Sequence, residues 1–253
     1  MKHANIKLSE KSRKFLEDLR VYLFSSGKKE SEIDDIVEEL EVHLIEAEEK
    51  GKPVEKIIGR SPKEYMEQLS DEIPADYKTW FQYIVIILFG GFSFTIGYDL
   101  MEGTLSYSLL ELIGHVVIGV IFIAGVLAAF KYIAGNQLSK WKELTVLFAL
   151  VLTPTGMYVG LIYLNRAVET PVIHFGITGT IITAIVTAVF IVAVSWWAKA
   201  WVLPIILTLL ILPESLLGMT PMNQELVLAL STVISFGGIG VYLLIVSKMD
   251  KAT

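Results

Sequence analysis

From residue 80 onward the sequence is a series of apolar runs, each close to twenty residues long, separated by short polar connections. They occupy residues 80–98, 109–130, 144–164, 172–198, 200–218 and 226–247. The hydrocarbon core of a bilayer is about 30 Å thick and is crossed by roughly 20 apolar residues in a helix. Backbone N–H and C=O groups find no water at that depth, so a single chain crossing in separate segments crosses as helices. The runs therefore dictate an all-α membrane protein, with a small N-terminal helical bundle followed by a six-helix transmembrane bundle. The expected divisions are residues 1–78 for the first domain, 79–248 for the spans and 249–253 for a short tail. The fifth run is the most interrupted, with Pro204, Pro213 and Glu214.

Charge is distributed to match. Residues 1–82 hold 14 of the 21 Lys and Arg and 19 of the 27 Asp and Glu, a net of −5. The other 171 residues hold only 7 basic and 8 acidic side chains. With residues 1–78 in the cytoplasm, the inner connections and tail carry Lys131, Lys140, Lys142, Lys199, Lys248 and Lys251. The outer connections carry only Arg166, beside Asp99, Glu102, Glu169, Glu214 and Glu225. From that bias both termini are expected on the cytoplasmic side of a cell membrane. Met1–Lys14 has no apolar segment, so no cleaved signal peptide is expected and the first span serves as the insertion signal. With no cysteine, disulfides and thiolate chemistry are excluded. A net charge of −6 disfavours direct contact with nucleic acid.

The first 78 residues carry strong helix signals. Ser9 is placed to cap a helix whose apolar face is Phe15, Leu19, Tyr22 and Leu23, ending at Gly27. A second helix is expected from Ser31, with Asp34 completing a capping box; its stripe is Ile33, Ile36, Val37, Leu40, Leu44 and Ala47, and Gly51 stops it. A short turn after Pro53 brings Val54, Ile57 and Ile58. The last helix opens at Ser61 with Pro62 in its first position and Glu64 as box partner, and presents Tyr65, Met66, Leu69 and Ile73 before Pro74. A core this thin makes the domain marginally stable alone.

Three groups of residues stand out between Phe15 and Ile73: Phe15, Leu16 and Leu19, then Glu39, Leu40, Glu41, His43 and Leu44, then Gly59, Arg60, Ser61, Pro62 and Tyr65. On these residues the stretch resembles the bacterial HAAS-type domain, an α-helical signalling domain associated with helix-turn-helix regulators. In architecture, the multi-span remainder resembles uncharacterised bacterial membrane proteins that carry this domain. The resemblance implies signalling through protein interaction rather than catalysis, with a winged-helix transcriptional regulator as the partner. On that reading Glu38, Glu41, His43 and Glu46 form the candidate partner-binding face.

His43, at the edge of the buried stripe, is expected to be a partly buried histidine bonded within the bundle; a pH-sensing or metal role is the alternative. Among the spans, Glu111 and His115 share a helix face at i and i+4, and His174 opens the fourth span. Intramembrane ionisable residues cost energy and point to function. These three are candidates for a structural or interfacial role, for a small transporter or permease subunit, or for a metal-dependent intramembrane hydrolase. The chain has none of the usual hydrolase or nucleotide-binding motifs, and neither a catalytic residue, a cofactor nor a metal is assigned. Gly90 and Gly91, the Gly156 and Gly160 pair, and Gly237, Gly238 and Gly240 are expected to pack helices within one bundle, with homo-oligomerisation as the sharper alternative. Thr153 and Thr155 flank Pro154 and are expected to satisfy carbonyls freed by the proline. A reporter fused after Thr253 is expected to be active only as a cytoplasmic probe; activity as a periplasmic one removes the six-span count.

Overall fold

The computed structural model describes residues 8–59, 61–103, 105–136, 138–199 and 201–249. The expected tail, from residue 250 with its Lys251, and Arg60 of the HAAS-like pattern lie outside them. Among the described residues ten helices follow one another: α1 Glu10–Ser25, α2 Glu30–Glu49, α3 Glu55–Ile58, α4 Pro62–Glu72, α5 Tyr77–Glu102, α6 Leu109–Gly135, α7 Lys140–Ala167, α8 Gly176–Trp197, α9 Val202–Gly218 and α10 Gln224–Met249. Two short strands, β1 Ser106–Ser108 and β2 Val172–His174, pair antiparallel. The fold is nearly all-α. It divides into two compact units: Met1–Val85 with Val116–Leu164, and Ile86–His115 with Asn165–Thr253.

In the first unit, helices α1 to α4 enclose one core. Phe15, Leu16, Leu19, Tyr22, Leu23, Ile33, Val37, Leu40, Leu44, Val54, Ile58, Met66 and Ile73 are buried together, and Ile36, Ile57, Tyr65 and Leu69 pack on them. Every expected stripe except its last member, Ala47, therefore falls in this cluster, and Ala47 is buried too. Ala134, at the end of α6, joins the same core, which the apolar pattern of residues 1–78 did not reveal.

The helix ends explain how this core closes. Ser9 is the α1 N-cap, its hydroxyl accepting from Ser12 N at 3.2 Å. Glu48, near the end of α2, accepts from Ser9 N at 2.9 Å, from Ser9 Oγ at 2.6 Å and from Ser12 Oγ at 2.6 Å. One carboxylate thus satisfies the cap of a helix 39 residues away and pins the two helices together. Ser61 caps α4 as expected, accepting from Glu64 N at 3.3 Å, with Pro62 in the first turn. The Ser31 capping box does not form. Helix α2 begins one residue earlier, at Glu30, after an extended Lys29 that makes no side-chain cap bond. The connection to α5 is held as well: Asp76 Oδ1 accepts from Thr79 N at 3.1 Å, capping α5. The expected boundary at residue 78/79 falls inside the first turn of α5, because Asp76 starts the helix before the apolar run begins.

Among the described residues five helices, Tyr77–Leu100, Leu109–Gly135, Lys140–Ala167, Gly176–Trp197 and Gln224–Lys248, are long and apolar enough to cross a membrane. Helix α9 has 17 residues, about 25 Å at 1.5 Å per residue, the short limit for a span. Within the second unit, glycines seat it. A Cβ on Gly97 would meet Ile211 at 2.7 Å, one on Gly90 would meet Leu203 at 3.5 Å, and one on Gly238 would meet Leu209 at 2.9 Å. The expected packing roles of Gly91, Gly156, Gly160, Gly237 and Gly240 are not realised, since nothing lies within 4 Å of where their Cβ atoms would be. In α7 the hydroxyls of Thr153 and Thr155 donate to the carbonyls of Ala149 and Val151, both at 2.8 Å. These flank, rather than include, the Leu150 carbonyl that Pro154 leaves without its helical donor.

Glu48 carries a stability prediction. Burial pushes its pKa up, but the hydrogen bonds from Ser12 and Ser9 outweigh this and hold it below its ordinary 4.5. A carboxylate depressed in the folded state stabilises above its unfolded pKa, and that stability is lost as pH falls below about 4.5 through the folded value. Residues 1–78 expressed alone are expected to give a helical circular dichroism spectrum. Ser9→Ala is expected to cost about 1 kcal/mol in denaturant melts at neutral pH. Glu48→Gln is expected to flatten the acid limb of the stability profile; an unchanged limb removes Glu48 from this role.

Candidate functional site

Two regions concentrate polar side chains. The first is the outward face of α2. The apolar stripe turns Leu40 and Leu44 into the core, so residues on the opposite side of the helical wheel face water. Glu38, Glu41, His43 and Glu46 are all exposed. His43 is 59% exposed at its side chain, with Nε2 3.7 Å from Glu39 Oε1 one turn earlier. The expected partly buried, core-bonded histidine is therefore replaced by a solvent-facing one. Glu46 lies 3.7 Å from Lys50 Nζ, also one turn along the helix. Val42, 50% exposed, sits between Glu38 and Glu46 at i±4 and supplies an apolar centre to an acidic face.

The second region, in the second unit, is built around the two-stranded sheet. Ser106 pairs with His174, Tyr107 with Ile173 and Ser108 with Val172. Leu109 N donates to Pro171 O at 2.9 Å and Phe175 N to Leu105 O at 3.0 Å, extending the pairing beyond both strands. Leu105 N donates to Thr180 Oγ1 of α8 at 3.1 Å. Tyr107 is 3% exposed and packs with Ile96, Leu105, Phe92, Leu100, Leu112 and Phe175. Its hydroxyl donates to Asp99 Oδ2 at 2.7 Å. Burial pushes the Tyr107 pKa up, and the hydrogen bond to Asp99 and the charges of Asp99 and Glu111 push it further, so it remains a neutral donor at physiological pH. Ser108 Oγ accepts from Glu111 N at 3.0 Å, capping α6, and donates to Asn165 Oδ1 at 2.5 Å.

The three candidate ionisable residues occupy separate settings around this sheet. Glu111 is half-buried in the first turn of α6. His115 Nδ1 donates to the Glu111 carbonyl at 2.8 Å, which fixes the proton on that nitrogen, and its ring meets Phe92 edge-on at 5.4 Å. His174 does not open the fourth span. It ends β2, exposed, with Nδ1 2.9 Å from Ser106 Oγ, and α8 starts two residues later at Gly176. Among the described residues no three of His, Asp and Glu are gathered so as to hold a metal ion, so Glu111, His115 and His174 do not form the set that a zinc site needs. An apolar groove of about 230 Å³ along α6 and α7, lined by Phe122, Gly125, Leu150, Pro154 and Met157, has Thr153 as its polar lining residue, and that hydroxyl is engaged with Ala149 O.

The Asp99–Tyr107 bond, the Ser108 bridge and Thr180 were not expected from the sequence. Three-residue strands are too short to show alternation, and Val172–His174 reads as the start of an apolar span. The available signal is weak: Gly103 and Pro171 punctuate the two connections that pair.

The chain is similar over residues 94–211 to a known family: the model described as the HAAS transmembrane region matches there. The match runs from the last third of α5 into α9, and so falls on the spans and not on Phe15–Ile73, where the sequence resemblance was drawn. No curated protein and no solved structure matches the chain. Together with five helices long and apolar enough to cross a bilayer among the described residues, this similarity to the HAAS transmembrane region supports a membrane protein.

Tyr107→Phe removes a hydrogen bond to a carboxylate inside an apolar cluster. It is expected to lower stability by about 1.5–3 kcal/mol, seen as a reduced melting temperature in detergent. His174→Ala, at the exposed rim, is expected to leave it nearly unchanged, and an equal loss from both variants would contradict the assignment.

Proposed function

We propose that the chain is a bacterial membrane signalling or regulatory protein whose cytoplasmic helical domain recruits a soluble partner. The observation that carries this reading is the face of α2. A domain with a complete core leaves Glu38, Glu41, His43 and Glu46 in water around the exposed Val42. Two further points support it: the HAAS-like residues of Phe15–Ile73, and the HAAS transmembrane region in the adjoining spans. On this reading residues 15–73 are the HAAS-type signalling domain itself, and the partner is a winged-helix transcriptional regulator presenting a basic surface. The protein acts through that regulator, touches no nucleic acid directly and catalyses no reaction. Both termini lie in the cytoplasm and α9 completes an even number of crossings, as the lysine bias of the connections favours. A transporter reading would need Glu111, His115 or His174 to face a polar path, whereas His115 commits its Nδ1 proton to its own helix and His174 pairs with Ser106 at an exposed rim.

The test is affinity capture in mild detergent from the source cell, comparing the full chain with Glu38→Lys/Glu41→Lys/Glu46→Lys and with a version lacking residues 1–78. A DNA-binding regulator is expected with the full chain, weakened by added salt and lost from both variants. An identical partner set from all three, or none, overturns the recruitment reading.

A further inference from the structure

Within the first unit the helical domain is gripped at two places, and both grips fall on one end of α1. The first comes from the segment leading into α5 and from Trp80 in its first turns. Asp76 N donates to Gly27 O at 2.9 Å, Lys28 Nζ donates to Ile73 O at 2.6 Å, and the Trp80 ring packs on Phe24 with centroids 5.1 Å apart. Trp80 also lies 3.6 Å from where a Cβ on Gly27 would be, and Gly27 has φ +77°, so the turn after α1 is shaped for that indole. The second grip comes from the last turn of α6. Ala134 is part of the domain core, and Lys131 Nζ stands 5.0 Å from the centroid of the Tyr22 ring. A Cβ on Gly135 would meet Tyr22 at 3.1 Å and the Lys63 side chain at 3.6 Å. That is tighter than ordinary van der Waals contact, so the missing side chain of Gly135 lets α6 seat closely on Tyr22, which is 2% exposed.

These contacts give the domain a noncovalent hold on one span and a covalent one on another. Helix α6 runs unbroken for 27 residues without proline, about 40 Å, so a displacement of either end moves the other. Its first turn is capped by Ser108, and its last turn holds Tyr22. Tightly packed interfaces respond to sub-ångström shifts by repacking rather than by stretching.

We propose that the Tyr22–Gly27 end of α1 is a mechanical coupler: held by α5 through Trp80 and by α6 through Gly135, it converts a relative displacement of these two spans into a reorientation of α1. Helix α2 follows, because Glu48 fixes one end of it to the α1 cap and Arg20 Nη1 binds Asp34 Oδ1 at 2.5 Å near the other. The acidic face is thereby presented or withdrawn. This purpose rests on the recruitment reading; the contact itself does not.

The test uses the full chain in lipid nanodiscs and exploits its lack of cysteine. Lys63→Cys/Gly135→Cys is expected to form an intramolecular disulfide on mild oxidation, and neither single variant does. Gly135→Leu is expected to raise amide hydrogen exchange several-fold at Tyr22–Gly27 and along α2, with α10 unchanged. Absence of the disulfide in protein that retains its helicity overturns the proposal, as does wild-type exchange in α1 and α2 of the leucine variant. If the leucine variant also loses protection in α10, the disulfide alone decides. Partner capture is not a readout here, so a disulfide that forms while capture fails removes the recruitment reading and leaves the coupling intact.

Discussion

Satisfying the backbone in a medium without water is the constraint on which the rest of this fold depends. Helices α5 to α8 and α10 meet it internally over 22 to 28 residues each. The difficulty is displaced to the ends, where orphan N–H and C=O groups need partners. The structure answers with short devices at each end: Asp76 ahead of α5, Ser108 ahead of α6, Asn223 ahead of α10, whose Oδ1 accepts from Leu226 N at 2.8 Å. The two-stranded sheet belongs to this set. It pairs the backbone of one connection with that of another, so that N–H and C=O groups of both find partners.

Those end devices govern how legible the molecule was. Twenty-residue apolar runs and i, i+3, i+4 stripes are long signals summed over many side chains, and both survived into the structure: Phe15 to Ile73 lie in one core, and five of six runs became long apolar helices. Features carried by one to three residues fared unevenly. Ser9 and Ser61 cap as their sequence contexts indicate, while Ser31 loses to an earlier start at Glu30. The reason is energetic: a cap is worth about 1 kcal/mol, and a one-residue shift in where the chain turns offsets it. Long-range partners were invisible for a different reason. Nothing local tells Glu48 that it will accept from Ser9 39 residues away, nor Asp99 that Tyr107 will donate to it.

The candidate sites show the same division. That Glu38, Glu41 and Glu46 would face solvent follows from the position of Leu40 and Leu44, because a helix buries one stripe and exposes the opposite one. His43 sits at the margin between the two, where a rotation of some tens of degrees decides burial, and the structure turns it outward. His174 was displaced from a span to a strand because Val172 and Ile173 are as suited to a β-edge as to a helix. Glycine was misleading in a third way. The Gly156 and Gly160 spacing looks like a helix contact but meets nothing, whereas Gly135, outside any motif, makes a close approach to a tyrosine. Spacing reports what a helix permits; the partner decides what is used.

The helical domain is small enough that its attachments matter as much as its core. Ala134 adds membrane-helix surface to a cluster otherwise made by α1 to α4, so the domain completes itself on a span. That arrangement separates two jobs on one scaffold. Tyr22 of α1 and Lys63 of α4 meet the end of α6, while the outer face of α2 takes no part in that contact. A marginal domain held in this way gains stability from its anchor and, for the same reason, becomes sensitive to it. Loosening the anchor weakens contacts shared by Tyr22 and its neighbours, and α2, pinned at Glu48 and Asp34, is the next element to feel the change. A thicker core would depend less on its anchor; the thin one leaves α1 between its contacts with α5 and α6 and the exposed face of α2.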